Sequence, residues 1–197
     1  MNYSKWKIEE CPTDKLKLFT DAGYPALLAA MLAVRGFGSV QEAKSFLDGG
    51  AELLRDPFLM KDMDKAASRI ERALSMRETV AVYGDYDVDG ITSTCLLTDW
   101  LRGRGLECYP YIPDRIGKGY GLNSAAIDTL HRRGVSLIIS VDCGITASEE
   151  AEHAKEIGVD LIITDHHECR EQTIPDAIAV IDPKQEDCTY PNKDLAG

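Results

Sequence analysis

The sequence predicts an α/β fold, doubly wound around a mostly parallel sheet and preceded by a short helical segment. Three observations predict it. From residue 79 onward short β-branched runs alternate strictly with helical stretches. Before residue 78 only helices are legible. Four of the strand-like runs end abruptly in aspartate, the position where such sheets carry their ligand loops. Strands in strict alternation with helices imply right-handed crossovers and a sheet covered on both faces.

The elements follow in order. Residues 25–34 read as a helix, and Gly36, Gly38, Gly49, Gly50 and Pro57 mark turns between short helices. Over residues 63–74 the apolar positions Ala66, Ile70, Ala73 and Leu74 recur at helical spacing, with Lys65, Arg69, Glu71 and Arg72 on the other side. Strands are expected at 79–83, 107–112, 136–141, 160–164 and 177–181, and helices at 91–104, 123–133 and 146–157. Thr146 with Glu149 three residues later has the form of a capping box, and Ala147, Ala151, Ala154 and Ile157 then make the buried face. The expected division is a helical segment over 1–77 packing on the core, and an α/β domain over 78–197.

The 197 residues suffice for one domain with an appendage. With 44% hydrophobic and 28% charged residues the chain has the balance of a globular protein, which excludes a disordered one. No apolar run is long enough to span a bilayer, and residues 1–10 lack the pattern of a secretion signal, so a cytoplasmic location without membrane partners is expected. A net charge of −11 excludes a basic sheath for nucleic acid, so a polyanion must be met locally, by a few arginines or by cations held on carboxylates. The six cysteines contain no C-x-x-C pair and read as reduced thiols, mostly filling the core.

The strand at 79–83 runs into Gly84-Asp85-Tyr86-Asp87-Val88-Asp89-Gly90. The strand at 136–141 ends at Asp142-Cys143-Gly144, that at 160–164 at Asp165-His166-His167, and the last at Asp182-Pro183. A single aspartate at such a junction often only caps a helix. Several at one rim repel one another unless a cation is present, so the set asks for metal. Carboxylate oxygen with imidazole nitrogen and no thiolate suits Mn²⁺ best and Mg²⁺ next. A pair of ions could activate water and hold a phosphoryl group, which is phosphoester hydrolysis. Cys143 beside Asp142 lacks an activating arrangement and reads as packing. Asp85-x-Asp87-x-Asp89-Gly90 opens like an EF-hand loop, but the twelfth position is Leu96 instead of Glu. The stretch 84–92 lacks the lysine and the glycine spacing of a P-loop.

Four motifs in order carry a family pattern: residues 82–93 around Asp85-Tyr86-Asp87-Val88-Asp89-Gly90; Pro113-Asp114-Arg115 with Gly119-Tyr120-Gly121; Val141-Asp142-Cys143-Gly144; and Asp165-His166-His167. Asp56-Pro57-Phe58 upstream and Asp182-Pro183, Tyr190-Pro191 and Leu195-Ala196-Gly197 downstream extend it over nearly the whole chain. In these residues the chain resembles the DHH phosphoesterase superfamily, and within it the RecJ branch of single-strand-specific exonucleases. The resemblance implies a Mn²⁺-dependent nuclease acting from the 5′ end of single-stranded DNA in repair and recombination, with a single-strand-binding protein and a helicase as partners. It implies Asp87, Asp89, Asp142 and His166 as metal ligands, His167 as the group meeting the scissile phosphate, and Asp165 as the residue orienting its neighbours. Asp85 is a further catalytic candidate, and Arg115, Gly119 and Gly121 are candidates for gripping substrate. The resemblance also implies that this chain corresponds to the N-terminal part of a longer protein, whose remainder supplies another metal-binding aspartate, a second domain and an OB-fold. Two alternatives stand beside it: a relative acting on short oligonucleotides or cyclic dinucleotides, and a non-catalytic replication partner with the same fold.

Overall fold

The central strand β1 (Thr79–Gly84) shows why a parallel sheet forms. Val80, Ala81, Val82 and Tyr83 are all fully buried, so this strand has two apolar faces and needs cover on both. In the computed structural model, which describes residues 9–50, 54–113, 121–169, 174–193 and 195, it lies inside a five-stranded parallel sheet. The other strands are β2 (Glu107–Tyr111), β3 (Val135–Val141), β4 (Asp160–Thr164) and β5 (Ala179–Ile181), in the spatial order β2-β1-β3-β4-β5. The period of two assigns the faces. Ala81, Tyr83, Ile138, Leu161 and Ile163 join the core under α6 (Ser124–His131) and α7 (Ser148–Glu156). Val80, Val82, Leu137, Ile139 and Ile162 face the opposite side, with Ala66 and Ala73 of α4 (Met63–Met76) and Leu101 of α5 (Val88–Gly103). The doubly wound α/β expectation is borne out. The chain leaves β1 toward β2 and returns to β3 on the other side, so the crevice at the topological switch opens between the ends of β1 and β3.

Two compact units divide the chain at Met1–Leu54 and Arg55–Gly197. The first holds α1 (Thr13–Asp21), α2 (Ala26–Val34) and α3 (Val40–Asp48) around Phe19, Ala29, Leu32, Ala33 and Ala43. The division falls before residue 78 because α4 belongs to the sheet: its apolar stripe is spent against Val80, Val82 and Leu137. Helical periodicity marks where helices end and strands begin, and not which unit a helix serves.

Three local expectations are corrected. Arg69, read as part of the solvent face of α4, is 7% exposed. Its Nε donates to Asp160 Oδ2 at 2.5 Å and its Nη2 to Glu78 Oε2 at 2.6 Å, while Ser136 Oγ donates to the same Glu78 oxygen at 2.7 Å. These bonds tie α4 to the N-terminal ends of β1, β3 and β4. Arg69→Ala leaves two carboxylates facing each other without their cation, and is expected to cost the α/β unit about 3 kcal/mol in urea denaturation. Helix α5 starts at Val88, three residues before its expected start, because Asp87 caps it by accepting from Gly90 N at 3.0 Å. The expected capping box at Thr146 is not made: α7 begins at Ser148, preceded by Ala147 with no side-chain cap. Ala151 and Ala154 do form its buried face.

Candidate metal centre

The sheet register builds the site. Gly84 pairs with Val141, Val141 with Thr164, and Thr164 with Ile181, so the last residues of four strands form one row. The next residue in each strand is Asp85, Asp142, Asp165 or Asp182. Adjacent parallel strands lie about 4.8 Å apart, and the four carboxylates therefore follow one another along the rim. All four are buried, at 1%, 4%, 8% and 0% exposure.

Hydrogen bonding separates their roles. Asp165 is saturated: its Oδ2 accepts from Ile145 N at 2.8 Å, and its Oδ1 from His166 N at 2.7 Å, His167 N at 3.2 Å and His167 Nδ1 at 2.7 Å. It organises the two histidines. Among the described residues no N–H or hydroxyl donor bonds either oxygen of Asp142, whose carboxyl group lies against that of Asp87, and Asp85 Oδ1 and Asp182 Oδ2 are likewise without a donor although buried. His166 Nε2 approaches Asp142 Oδ1 to 3.0 Å without the alignment of a hydrogen bond. Its other nitrogen, Nδ1, lies 3.0 Å from the main-chain oxygen of Leu195. One ligand atom each from Asp142, His166 and His167 lies within 4.8 Å of the others.

The residue holding this carboxylate is itself unusual. Asp142 has φ +60°, in the left-handed region that a non-glycine residue enters at a cost and that clusters at functional sites. Burial pushes its pKa up to about 6, and the neighbouring Asp87 adds to the rise while His166 and His167 oppose it. Burial also pushes Asp182 up to about 6, and the field of Asp165 adds to the rise, against the Lys184 main-chain N–H that holds its Oδ1 at 2.8 Å. The Gly90 main-chain N–H holds Asp87 below the ordinary carboxylate value. For His167 burial works against the charged form, but the bond its ring donates to Asp165 and the fields of Asp165, Asp142 and Asp182 outweigh it and raise the pKa. Four carboxylates, of Asp87, Asp142, Asp165 and Asp182, thus act on two imidazoles, and the charge is unbalanced in the direction a cation would correct.

These residues fit a divalent ion. The two Asp142 oxygens are buried and without an N–H or hydroxyl donor among the described residues, and a cation is what such oxygens lack. Two ligands at about 2.1 Å from one ion and about 90° apart are separated by about 3.0 Å. That is the separation of His166 Nε2 and Asp142 Oδ1.

Of the sequence-derived metal ligands, Asp142 and His166 are brought together, and Asp87 is coupled electrostatically to Asp142. Asp89 lies in the first turn of α5 and is not part of the three-residue cluster among the described residues. His167, expected to meet the phosphate, stands inside that cluster. Asp85 is buried behind the α5 start, where close approach is enforced by glycine. A Cβ on Gly90 would meet Asp85 N at 2.6 Å, and one on Gly84 would strike Thr94 Oγ1. Gly121 has φ +83°, and its carbonyl accepts from Tyr83 Oη at 2.9 Å, so that carbonyl is committed to the core. Arg115 and Gly119 lie outside the described residues. Cys143 is fully buried with its Sγ 3.9 Å from Tyr83 O, and burial pushes its thiol pKa far up, consistent with packing. All six cysteines are free.

Sequence reasoning counted Asp182 in the acidic rim through the strand-then-aspartate pattern but gave it no role of its own. It missed the Leu195 carbonyl, for which no side-chain signal exists. Beside the aspartate row a cavity of about 510 Å³ runs between α4, α5 and the sheet, lined by Met63, Ile70, Leu97, Trp100 and Ile139 and reaching Asp142 and His166. No helix among the described residues is long and apolar enough to cross a membrane.

Residues 79–196 match the model of the DHH family, N-terminal domain, and the chain belongs to that family. Within it the similarity is to RecJ proteins. The chain is 45% identical over 194 residues to the single-stranded-DNA-specific exonuclease RecJ of Bacillus subtilis, covering 98% of this chain and 25% of that protein. It is 37% identical over 177 residues to RecJ of Escherichia coli, covering 89% and 30%. It therefore spans between a quarter and a third of these relatives. Among solved structures, exonuclease RecJ bound to manganese superposes with a TM-score of 0.62 at 34% identity, over 68% of this chain and 34% of that one. RecJ of Thermus thermophilus in complex with Mn²⁺ superposes with a TM-score of 0.64 at 29% identity, over 93% and 25%.

Proposed function

We propose that this chain carries metal-binding and phosphate-handling residues of a 5′-to-3′ single-stranded-DNA exonuclease of repair and recombination. The observation that supports it most is the register that sets Asp142 beside His166 and His167 with two buried oxygens that no N–H or hydroxyl donor reaches among the described residues. The relatives of this chain are named single-stranded-DNA-specific exonucleases, and similar structures are titled as bound to manganese.

In this reading Asp142, His166, Asp87 and Asp89 hold Mn²⁺, with Mg²⁺ as the substitute and a pair of ions in the working enzyme. When bound, the metal supplies Lewis-acid polarisation of the phosphodiester and a water acidic enough to attack it. The protein's own share is positional. Asp165 takes four hydrogen bonds and fixes the turn at which both imidazoles leave β4. Because Asp165 occupies His167 Nδ1, that ring works through Nε2, and its raised pKa favours the cationic form beside an anionic phosphate. Asp85 supports the acidic loop from behind. Arg115, Gly119 and Gly121 are assigned to substrate, and a single-strand-binding protein and a helicase are proposed as partners in the cytoplasm.

The test is release of mononucleotides from single-stranded DNA labelled at either end, with and without Mn²⁺, using Asp142→Asn as the control. Mn²⁺-dependent release from the 5′ end, absent in the variant, is expected. Activity confined to short oligonucleotides or cyclic dinucleotides, or activity unchanged in Asp142→Asn, would overturn the assignment.

A further inference from the structure

We infer that the main-chain carbonyl of Leu195 is a positioning group for the metal centre, setting the tautomer in which His166 serves as a ligand. The inference rests on the reading of Asp142, His166 and His167 as metal-holding residues.

His166 Nδ1 lies 3.0 Å from Leu195 O, an acceptor 29 residues away in the chain. A carbonyl oxygen only accepts, so Nδ1 carries the ring hydrogen and Nε2 of the neutral ring carries the lone pair. Nε2 is the atom 3.0 Å from Asp142 Oδ1. With Nδ1 satisfied by the carbonyl, the Nε2 lone pair of the neutral ring and Asp142 Oδ1 face each other at the spacing of two ligands on one cation. The opposite tautomer would place a hydrogen on Nε2 and remove the lone pair that a metal needs.

The adjacent ring is set differently. His167 Nδ1 is held at 2.7 Å by Asp165, its neighbour two residues away. Asp165 cannot serve both rings, because its Oδ2 is taken by Ile145 N and its Oδ1 already accepts from two main-chain N–H groups and from His167. His166 must therefore find its acceptor elsewhere, and the part of the fold that supplies it is the stretch after Tyr190. Tyr190 and Cys188 are buried, Lys193 Nζ donates to Cys188 O at 2.5 Å, and the Leu195 side chain lines the apolar cavity. Burial of Cys188 and Tyr190 anchors the stretch that brings the Leu195 carbonyl to the ring, and the half-buried Leu195 side chain only edges the cavity.

The experiment uses the 197-residue chain, labelled with ¹⁵N for long-range imidazole spectra of the metal-free state and titrated calorimetrically with MnCl₂. The chain itself is expected to show His166 with its hydrogen on Nδ1. A chain ending at Lys193, which lacks the carbonyl, is expected to show the Nε2–H form and to bind Mn²⁺ about 10- to 100-fold more weakly. Leu195→Ala, which keeps the carbonyl, is expected to retain the tautomer and to bind within about threefold, as a rescue a purely structural role would not give. Should the shortened chain fail to fold, a ligated chain with an ester at the Leu195–Ala196 bond provides a weaker acceptor at the same place, and a shift toward Nε2–H is expected there. Unchanged tautomer and affinity in the shortened or ester chain would overturn the inference, as would an equal loss in Leu195→Ala. Absence of Mn²⁺ binding by the unaltered chain would instead overturn the metal reading, with the tautomer spectra still deciding the role of Leu195.

Discussion

Asp142→Asn is expected to abolish Mn²⁺ binding, by about 100-fold or more in affinity, while making the metal-free protein more stable. The two effects have one cause. Asp142 is a buried carboxylate with no N–H or hydroxyl donor on either oxygen among the described residues, and burial followed by the proximity of Asp87 pushes its pKa up to about 6. At pH 7 it is ionised at a cost, and an amide of the same shape removes that cost. A shift of two units corresponds to about 3 kcal/mol at most, and partial solvation at the crevice reduces the expected gain to about 1–2 kcal/mol. Asparagine also tolerates φ +60°, which this position requires, better than most residues. The same amide removes the anionic ligand, and the ion loses both its charge partner and its site geometry. Calorimetric titration with MnCl₂ and urea denaturation in EDTA read the two effects separately. A variant that is destabilised without metal, or that binds Mn²⁺ as before, would show that Asp142 is a structural aspartate and not a strained ligand.

The second large effect is on the pH dependence of stability, which metal is expected to offset. Asp142 and Asp182 have folded pKa values of about 6 against an ordinary 3.8, so the folded chain binds protons more tightly than the unfolded one. Their contribution is fully present below pH 4 and is lost as pH rises through 6. His167 acts in the same sense, because its raised pKa stabilises the fold below 6.5 and that stabilisation is lost as pH rises through the folded value. Groups of the opposite kind set the acid limit. Glu78, which burial alone would raise, is held below its ordinary value by Arg69 and Ser136, and Asp87 is held down by Gly90 N. Their stabilisation is lost as pH falls through their folded pKa values, which lie below the ordinary carboxylate ones. In EDTA the α/β unit is therefore expected to melt about 5–10 °C lower at pH 7.5 than at pH 5. Mn²⁺ displaces the protons, so at a hundredfold excess over its Kd it is expected to add about 2.7 kcal/mol at pH 7.5 and much less at pH 5. Scanning calorimetry at both values, with and without Mn²⁺, checks this. A Tm that climbs with pH in EDTA, or an equal Mn²⁺ increment at both, would mean the aspartate row is already neutralised by something within the fold.

Much of this was legible beforehand because strand and helix periodicities are local properties. The runs at 79–83 and 160–164 needed no neighbour to be recognised, and the four aspartates that follow strands marked the rim. Reading failed where a residue's partner is distant. Arg69 sits on the polar side of its helix by spacing alone, yet two acidic residues, one of them 91 positions away, make burial tolerable for it. The Thr146 capping box matched a pattern, but Asp165 takes Ile145 N and shapes that turn from another strand.

By itself the order of residues determined that this polypeptide alternates strands and helices and that acids and imidazoles stand at strand ends, since both follow from side-chain chemistry within a few residues. Only the tertiary structure decided which of them meet. The register of β1, β3, β4 and β5 lines up Asp85, Asp142, Asp165 and Asp182, and hydrogen bonding then separates the saturated Asp165 from Asp142, whose oxygens no N–H or hydroxyl donor reaches among the described residues. A one-residue slip in any pairing would turn its aspartate out of the row, and that pairing is settled by packing on the two sheet faces, which no short stretch of sequence contains.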